Sequence, residues 1–199
     1  MRNWLVERTD AFVEGVGEVG NSGGGFASAV PTCPGWTVRD LVTAVDGRAD
    51  PVWTYLGPRP AAFWTRRTLH DTVVHHADLV LAAGSEPDVP EDVAADAVDE
   101  LFELFTDPAG VSLKPSLAHL RGTGETLLLR PRGRPPLFVV RTPGGPVRRS
   151  GEGPADVVLT APPPDLLLVL TRRRSADHPG VRVEGDRALL DHWVAHTAL

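Results

Sequence analysis

Two possible metal ligands stand four residues apart in the middle of the sequence. If residues 63–78 form a helix, Asp71 and His75 lie one turn apart and share one face. A carboxylate and an imidazole placed in this way can bind a divalent metal such as zinc. His70 and His76 adjoin the pair, but a helix turns each of them about 100° away from it. We therefore expect Asp71 and His75 to bind metal or to remain as a hydrogen-bonded pair, and the other two histidines to lie at the surface or hydrogen-bond between helices.

The composition excludes several classes of partner. The net charge is −6 and the sequence pI is about 5.6, without the concentrated basic surface that nucleic-acid binding requires. No apolar run approaches the length of a membrane span. Charged residues lie among the first eight positions, where a signal peptide needs an apolar core. Cys33 is the only cysteine, so an intramolecular disulfide is impossible and we expect a structural role for this side chain. These features predict a cytoplasmic monomer without nucleic-acid or membrane partners.

Helical periodicity dominates the first half of the sequence. Apolar residues recur at helical spacing in four segments, and Thr37 is a plausible N-cap for the second of them. The four predicted helices are Asn3–Val19, a segment that contains Val38, Leu41, Val42 and Val45, then Ala61–Ala83 and Glu91–Phe105. Residues 1–107 are therefore predicted to be all helical and to form a bundle.

Strand-like segments appear in the second half, from about residue 107. The predicted strands are Thr126–Arg130, Leu137–Arg141, Asp156–Thr160 and Val181–Glu184, and a turn after the second of them leads to Val147–Ser150. A helix over Leu166–Arg173 is apolar on all sides and should be buried, and an amphipathic helix over Arg187–Ala198 closes the chain. Residues 108–199 are therefore predicted to form a small α+β domain.

Several motifs in this order resemble the mycothiol-dependent maleylpyruvate isomerase family. The resemblance covers most of the chain, and its segments are Thr32–Val42, Trp64–Asp78, Ala94–Leu101, Pro164–Leu170 and Gly185–Trp193. It implies a DinB-like helical bundle at the N-terminus, here shortened, followed by a small α+β domain similar to sterol-carrier folds. It also implies a thiol cofactor, mycothiol, and a small-molecule substrate.

The same resemblance implies a divalent metal site, with zinc as the usual metal. Position by position, its three ligands fall on Ala44, Asp71 and His75. Alanine cannot coordinate a metal, and Asp71 is one methylene shorter than the glutamate of the family. Asp46 could replace the missing ligand only if its helix bends. The resemblance therefore implies a metal site of which half is gone, since one ligand is lost and a second is shortened.

In the family, the metal activates the mycothiol sulfur as a thiolate, and an arginine of the C-terminal domain assists the reaction. Arg173 aligns with that arginine, and Arg172 and Arg174 compete for the assignment. Cations at the C-terminal end of a helix dipole are an alternative explanation for all three.

Three functions follow from these observations. The first is a weakly active or non-catalytic relative of the family with an eroded metal site. The second is an active metal- and mycothiol-dependent isomerase or thiol transferase. The third, by analogy with sterol carriers alone, is a module that binds a small apolar ligand or a protein.

Overall fold

The computed structural model describes residue 27, residue 37, residues 51–60 and residues 62–197. The chain divides into two compact units, residues 1–67 and residues 68–199. The two helices predicted before residue 50 lie outside the described residues, as do Cys33 and Ala44. The predicted helical bundle therefore stays a prediction.

The described part of the first unit contains a short antiparallel ladder. Strand β1 (Pro51–Val52) pairs with strand β2 (Arg59–Pro60). The turn between them is closed by Thr54, whose backbone oxygen accepts a 3.0 Å hydrogen bond from the backbone N–H of Gly57. The prediction that the whole first half is helical is wrong here. Proline and glycine oppose a continuous helix in this segment, and the Thr54 turn satisfies the backbone instead.

Two long helices come next. Helix α1 (Ala62–Ala82) and helix α2 (Glu91–Thr106) confirm the two helices predicted at these positions to within one residue at each end. Helix α2 buries the apolar face expected from its periodicity, and it also buries Glu100 and Phe102, which the apolar pattern did not single out. A short helix α3 (Gly110–Leu113) and a 3₁₀ helix (Pro115–Leu120) follow and were not predicted.

A five-stranded mixed sheet forms the second half, which confirms its predicted α+β organisation. The strands are β3 (Thr126–Pro131), β4 (Leu137–Thr142), β5 (Gly145–Arg149), β6 (Val157–Ala161) and β7 (Arg182–Gly185), in the spatial order β5-β4-β3-β6-β7. Only the β3–β6 pair is parallel among these strands. Strand β3 buries three consecutive leucines, Leu127 to Leu129, so both of its faces are covered.

Helix α4 (Pro163–Leu170) connects β6 to β7, and helix α5 (Arg187–Thr197) follows β7. Helix α4 packs against α2, α5 and β6, and its run Leu166–Leu170 is buried on all sides, as predicted. Helix α5 packs against the 3₁₀ helix and β6. Within the described residues, no helix is long and apolar enough to cross a membrane.

The end of α4 differs from the sequence-based expectation. The helix ends at Leu170, three residues before the predicted end at Arg173. The backbone N–H of Arg172 donates to the oxygen of Val169 at 3.0 Å, and that of Arg173 donates to the oxygen of Leu168 at 2.7 Å. These two bonds form a Schellman motif, which needs a left-handed residue just after the helix. Arg172 fills that position with φ of 63°, although glycine would do so without strain.

An aromatic pair lies in the centre of the core. Trp193 of α5 and Phe102 of α2 are fully buried, and their rings stack with centroids 5.6 Å apart and planes inclined by 7°. Trp193 is therefore a core residue. The indole N–H has no hydrogen-bond partner among the described residues, so the ring contributes by packing alone.

We expect Trp193→Ala to lower the free energy of unfolding by about 3–5 kcal/mol, because it leaves a large cavity in the core. Trp193→Phe should cost much less, since it keeps the ring stacking and loses an N–H that makes no bond. Urea denaturation followed by circular dichroism measures both. Val147→Thr, on an exposed position of β5, is the control and should change stability by less than about 0.5 kcal/mol. A Trp193→Ala variant as stable as the parent would contradict this account.

Candidate functional site

The three predicted site residues lie in one network of charged side chains, and Asp78 joins them. Asp78 accepts two hydrogen bonds from Arg173, 2.8 Å from Nε to Oδ1 and 2.8 Å from Nη2 to Oδ2. His75 Nδ1 lies 3.1 Å from Asp78 Oδ2, and His75 Nε2 lies 3.7 Å from Asp71 Oδ2. Helix α1 supplies the carboxylates and the imidazole, and the loop after α4 supplies the guanidinium. We call Asp71, His75, Asp78 and Arg173 the α1–Arg173 network.

The contacts between Asp78 and Arg173 keep both of these side chains ionised. The hydrogen bonds from Arg173, helped by His75, lower the pKa of Asp78 from its ordinary value of 3.8 to about 2. The same bonds to Asp78 raise the pKa of Arg173, and the charge of Asp71 adds to this effect. Arg173 is only 14% exposed, so the burial of its positive charge depends on the carboxylate that pairs with it. The network therefore carries an ionised Asp78 and a charged Arg173 over the whole ordinary pH range.

The predicted metal ligands do not form a site by themselves. Asp71 and His75 are 54% and 65% exposed, and a zinc ion needs a third protein ligand and usually a fourth ligand. Among residues 51–60 and 62–197, no group of three or more histidine, cysteine, aspartate or glutamate side chains is arranged to hold a metal ion. The position that the resemblance assigns to the third ligand, Ala44, lies outside the described residues. The described side chains thus do not fit the zinc site of the family.

His70 makes the interhelical contacts that we expected of it. Its side chain is 2% exposed, with Nδ1 at 2.8 Å from Oε2 of the equally buried Glu100 and Nε2 at 3.0 Å from Oδ2 of the half-exposed Asp96. These contacts join α1 to α2. His76 is exposed on α1, as predicted for a histidine turned away from the pair. Sequence reasoning did not identify Asp96 or Glu100 as partners, because both carboxylates belong to a helix recognised only by its apolar residues.

The three consecutive arginines have different surroundings. Arg173 follows α4 rather than closing it, and its Nη1 donates to the backbone oxygen of Thr171 at 2.7 Å. Arg174 forms ion pairs with Asp165 at the start of α4 and with Glu86. Arg172 is exposed in its left-handed conformation. Among the described residues, Arg173 is the one of the three arginines that forms an ion pair with helix α1.

The mixed sheet with its buried crossover helix defines a small α+β domain. A family model, the MDMPI C-terminal domain, matches residues 92–192, about half of the chain. The chain belongs to this family. The match confirms the C-terminal part of the resemblance to maleylpyruvate isomerases, and it does not extend to the predicted N-terminal bundle. The predicted domain boundary between residues 107 and 108 stays a prediction.

Comparison with solved structures gives weaker similarities. A ubiquinone synthesis protein described as UbiJ-SCP2 is 19% identical, with a TM-score of 0.40 over 55% of this chain and 93% of that chain. Sterol carrier protein 2 from Yarrowia lipolytica is 14% identical, with a TM-score of 0.35 over 52% of this chain and 91% of that chain. These scores are too low to support a functional argument. No curated protein matches the chain by sequence.

The lowered pKa of Asp78 predicts a specific pH dependence of stability. Since the native pKa of about 2 lies below the ordinary 3.8, Asp78 stabilises the fold above about pH 4 and loses this effect as pH falls towards 2. We expect Asp78→Asn to be less stable than the parent at neutral pH, with a difference that shrinks between pH 4 and pH 2. Urea denaturation at a series of pH values measures it. Asp88→Asn, which changes an exposed carboxylate outside the network, is the control. A pH-independent difference for Asp78→Asn would exclude ionisation as its cause.

The buried pair of His70 and Glu100 predicts a non-additive mutational response. His70→Leu should lower the free energy of unfolding by about 3–5 kcal/mol, because it leaves the buried Glu100 carboxylate without the imidazole. Adding Glu100→Leu should recover most of this loss, since the pair is then replaced by apolar side chains. Chemical denaturation of the two single variants and the double variant gives the coupling energy. If the two single effects simply add, the pair is not energetically coupled.

Proposed function

We propose that this chain is a relative of the mycothiol-dependent maleylpyruvate isomerases that retains the scaffold of the family without efficient metal-dependent catalysis. The observation that carries the proposal is the bidentate ion pair between Arg173 and Asp78. Arg173 is the arginine that the resemblance assigns to catalysis, and here a carboxylate of the chain itself occupies it.

The hydrogen bonds of Arg173 explain why this arrangement opposes catalysis. Its Nε and Nη2 both donate to Asp78, and Nη1 donates to the backbone oxygen of Thr171. All three guanidinium nitrogens are therefore engaged. An anionic substrate could bind this guanidinium only by displacing Asp78, which would leave a carboxylate with a strongly lowered pKa without its main partner.

The state of His75 supports the same conclusion. Its Nδ1 lies at hydrogen-bond distance from Asp78, and Asp71 faces its other nitrogen at a longer distance. A metal ion on this pair would compete with an existing ion-pair network and would have only two protein ligands from α1. With alanine at position 44, where the resemblance expects histidine, these side chains support an electrostatic role more readily than a metal centre.

One observation favours the second candidate, an active metal- and mycothiol-dependent isomerase or thiol transferase. Asp71 and His75 are exposed, and Arg173 lies far from them in the sequence. The three side chains nevertheless belong to one network. An ancestral active site at this position accounts for that grouping. This candidate requires a further ligand from the segment that contains Ala44 and Asp46.

Metal binding by the purified full-length chain separates the two candidates. We expect less than about a tenth of an equivalent of zinc after purification and dialysis, because two exposed ligands bind zinc weakly. Ala44→His should restore stoichiometric zinc, and Ala44→Gln, which adds bulk without an imidazole, should not. Inductively coupled plasma mass spectrometry gives the metal content.

Two results would overturn the proposal. Stoichiometric zinc in the parent chain would show that another residue completes the site. Isomerisation of maleylpyruvate by the parent chain in the presence of mycothiol, at a rate that His75→Ala abolishes, would establish the active enzyme.

A further inference from the structure

A cavity of about 360 Å³ lies between the loop after α4 and helix α5, and Arg173 is among the residues that line it. Its apolar wall is formed by Val169, Leu190 and Val194, and its charged rim includes Arg172 and Arg187. This volume is at the lower end of the range for small-molecule sites. The combination of an apolar wall and a cationic rim suits a small ligand that has one charged end.

Three of the four arginines that line the cavity are paired with carboxylates. Arg187 pairs with Asp177 and Asp191, and Arg173 and Arg174 pair with the carboxylates described above. The fourth is Arg172, whose guanidinium makes no hydrogen bond or ion pair with any residue that the structure describes. Among the described residues, the rim therefore offers one guanidinium without a partner, which suits a ligand with a single carboxylate.

The backbone of Arg172 has a conformation that is unusual for a residue with a side chain. Arg172 is the only non-glycine residue with positive φ in the described segments, and it holds the position after α4 that glycine fills most easily. Strained backbone positions of this kind concentrate at functional sites. An arginine here costs stability, and its side chain forms no hydrogen bond or ion pair with the described residues in return.

We propose that this cavity binds a small organic monocarboxylate with an apolar body, whose carboxylate pairs with Arg172 while the body packs on Val169, Leu190 and Val194. The proposal differs from the proposed function, because the ligand pairs with Arg172 and not with the metal ligands or with the guanidinium of Arg173, which lines the same cavity.

Titration of the full-length chain with benzoate tests the proposal. We expect saturable binding in isothermal calorimetry, together with NMR shifts of the backbone amides of residues 169–176 and 187–194. Benzamide, which has the same shape without the charge, should bind at least about tenfold more weakly, because a charge-assisted hydrogen bond is lost. Inorganic phosphate should also bind more weakly, since it has no apolar body.

The decisive variant is Arg172→Gly. It should weaken benzoate binding by at least about tenfold, and it should raise the thermal midpoint by about 2–4 °C, because glycine relieves the left-handed strain. Arg172→Asn, which also tolerates this conformation, should show the same loss of binding. Arg149→Gln removes one charge from an exposed position of β5 outside the cavity, and it should leave the affinity unchanged.

The outcomes that would overturn the proposal are distinct. Absence of saturable benzoate binding, or equal affinity for benzamide, would remove the carboxylate site. Phosphate binding as tight as that of benzoate would show a bare anion site without an apolar requirement. Equal losses of benzoate affinity in Arg172→Gly and Arg149→Gln would show that the effect comes from overall charge. A large fall in the thermal midpoint of Arg172→Gly would show that Arg172 has a structural role.

Discussion

Complete burial of helix α4 is the constraint on which the second unit depends. A helix that is apolar on every side must be enclosed by other elements, and here α2, α5 and β6 contact it. The polar groups at both ends of α4 then need hydrogen-bond or ion-pair partners close to the core. Asp165 and Arg174 form an ion pair across the helix, and the Schellman motif satisfies the carbonyls at its C-terminal end. The tight turn that follows places three arginines in succession where α4 leaves the core.

The ion pair between Asp78 and Arg173 is a consequence of that turn. Arg173 is mostly buried, and a buried guanidinium needs a carboxylate, which α1 provides. The guanidinium of Arg173 could bind a substrate or stabilise the fold, but the hydrogen bonds that it donates to Asp78 cannot do both at once. In this chain the described contacts favour stability.

The sequence predicted those features that depend on local patterns. Helices α1 and α2 and four of the five strands of the sheet followed from apolar periodicity and turn residues, and burial of α4 followed from its leucine run. The Asp78–Arg173 pair joins residues 95 positions apart, and no local pattern indicates which carboxylate an arginine will meet. The early end of α4 was also unpredictable, because an arginine rather than a glycine holds the left-handed position. Glu100 was overlooked because a charged residue on a helix is normally solvated, whereas here it is buried against the imidazole of His70.

The parallel pairing of β3 with β6 has a consequence for how the chain acquires its structure. Thr126 and Asp156, which hydrogen-bond at the ends of these strands, are 30 residues apart, whereas β3, β4 and β5 pair through short turns. Local pairing is kinetically favoured, so β3 to β5 can associate before β6 arrives. During that interval the three leucines of β3 border an open sheet edge, which is the kind of segment that pairs with other chains. Strand β6 therefore covers the edge of the leucine-rich strand β3, and a nascent chain leaves this edge open until residue 161 has emerged.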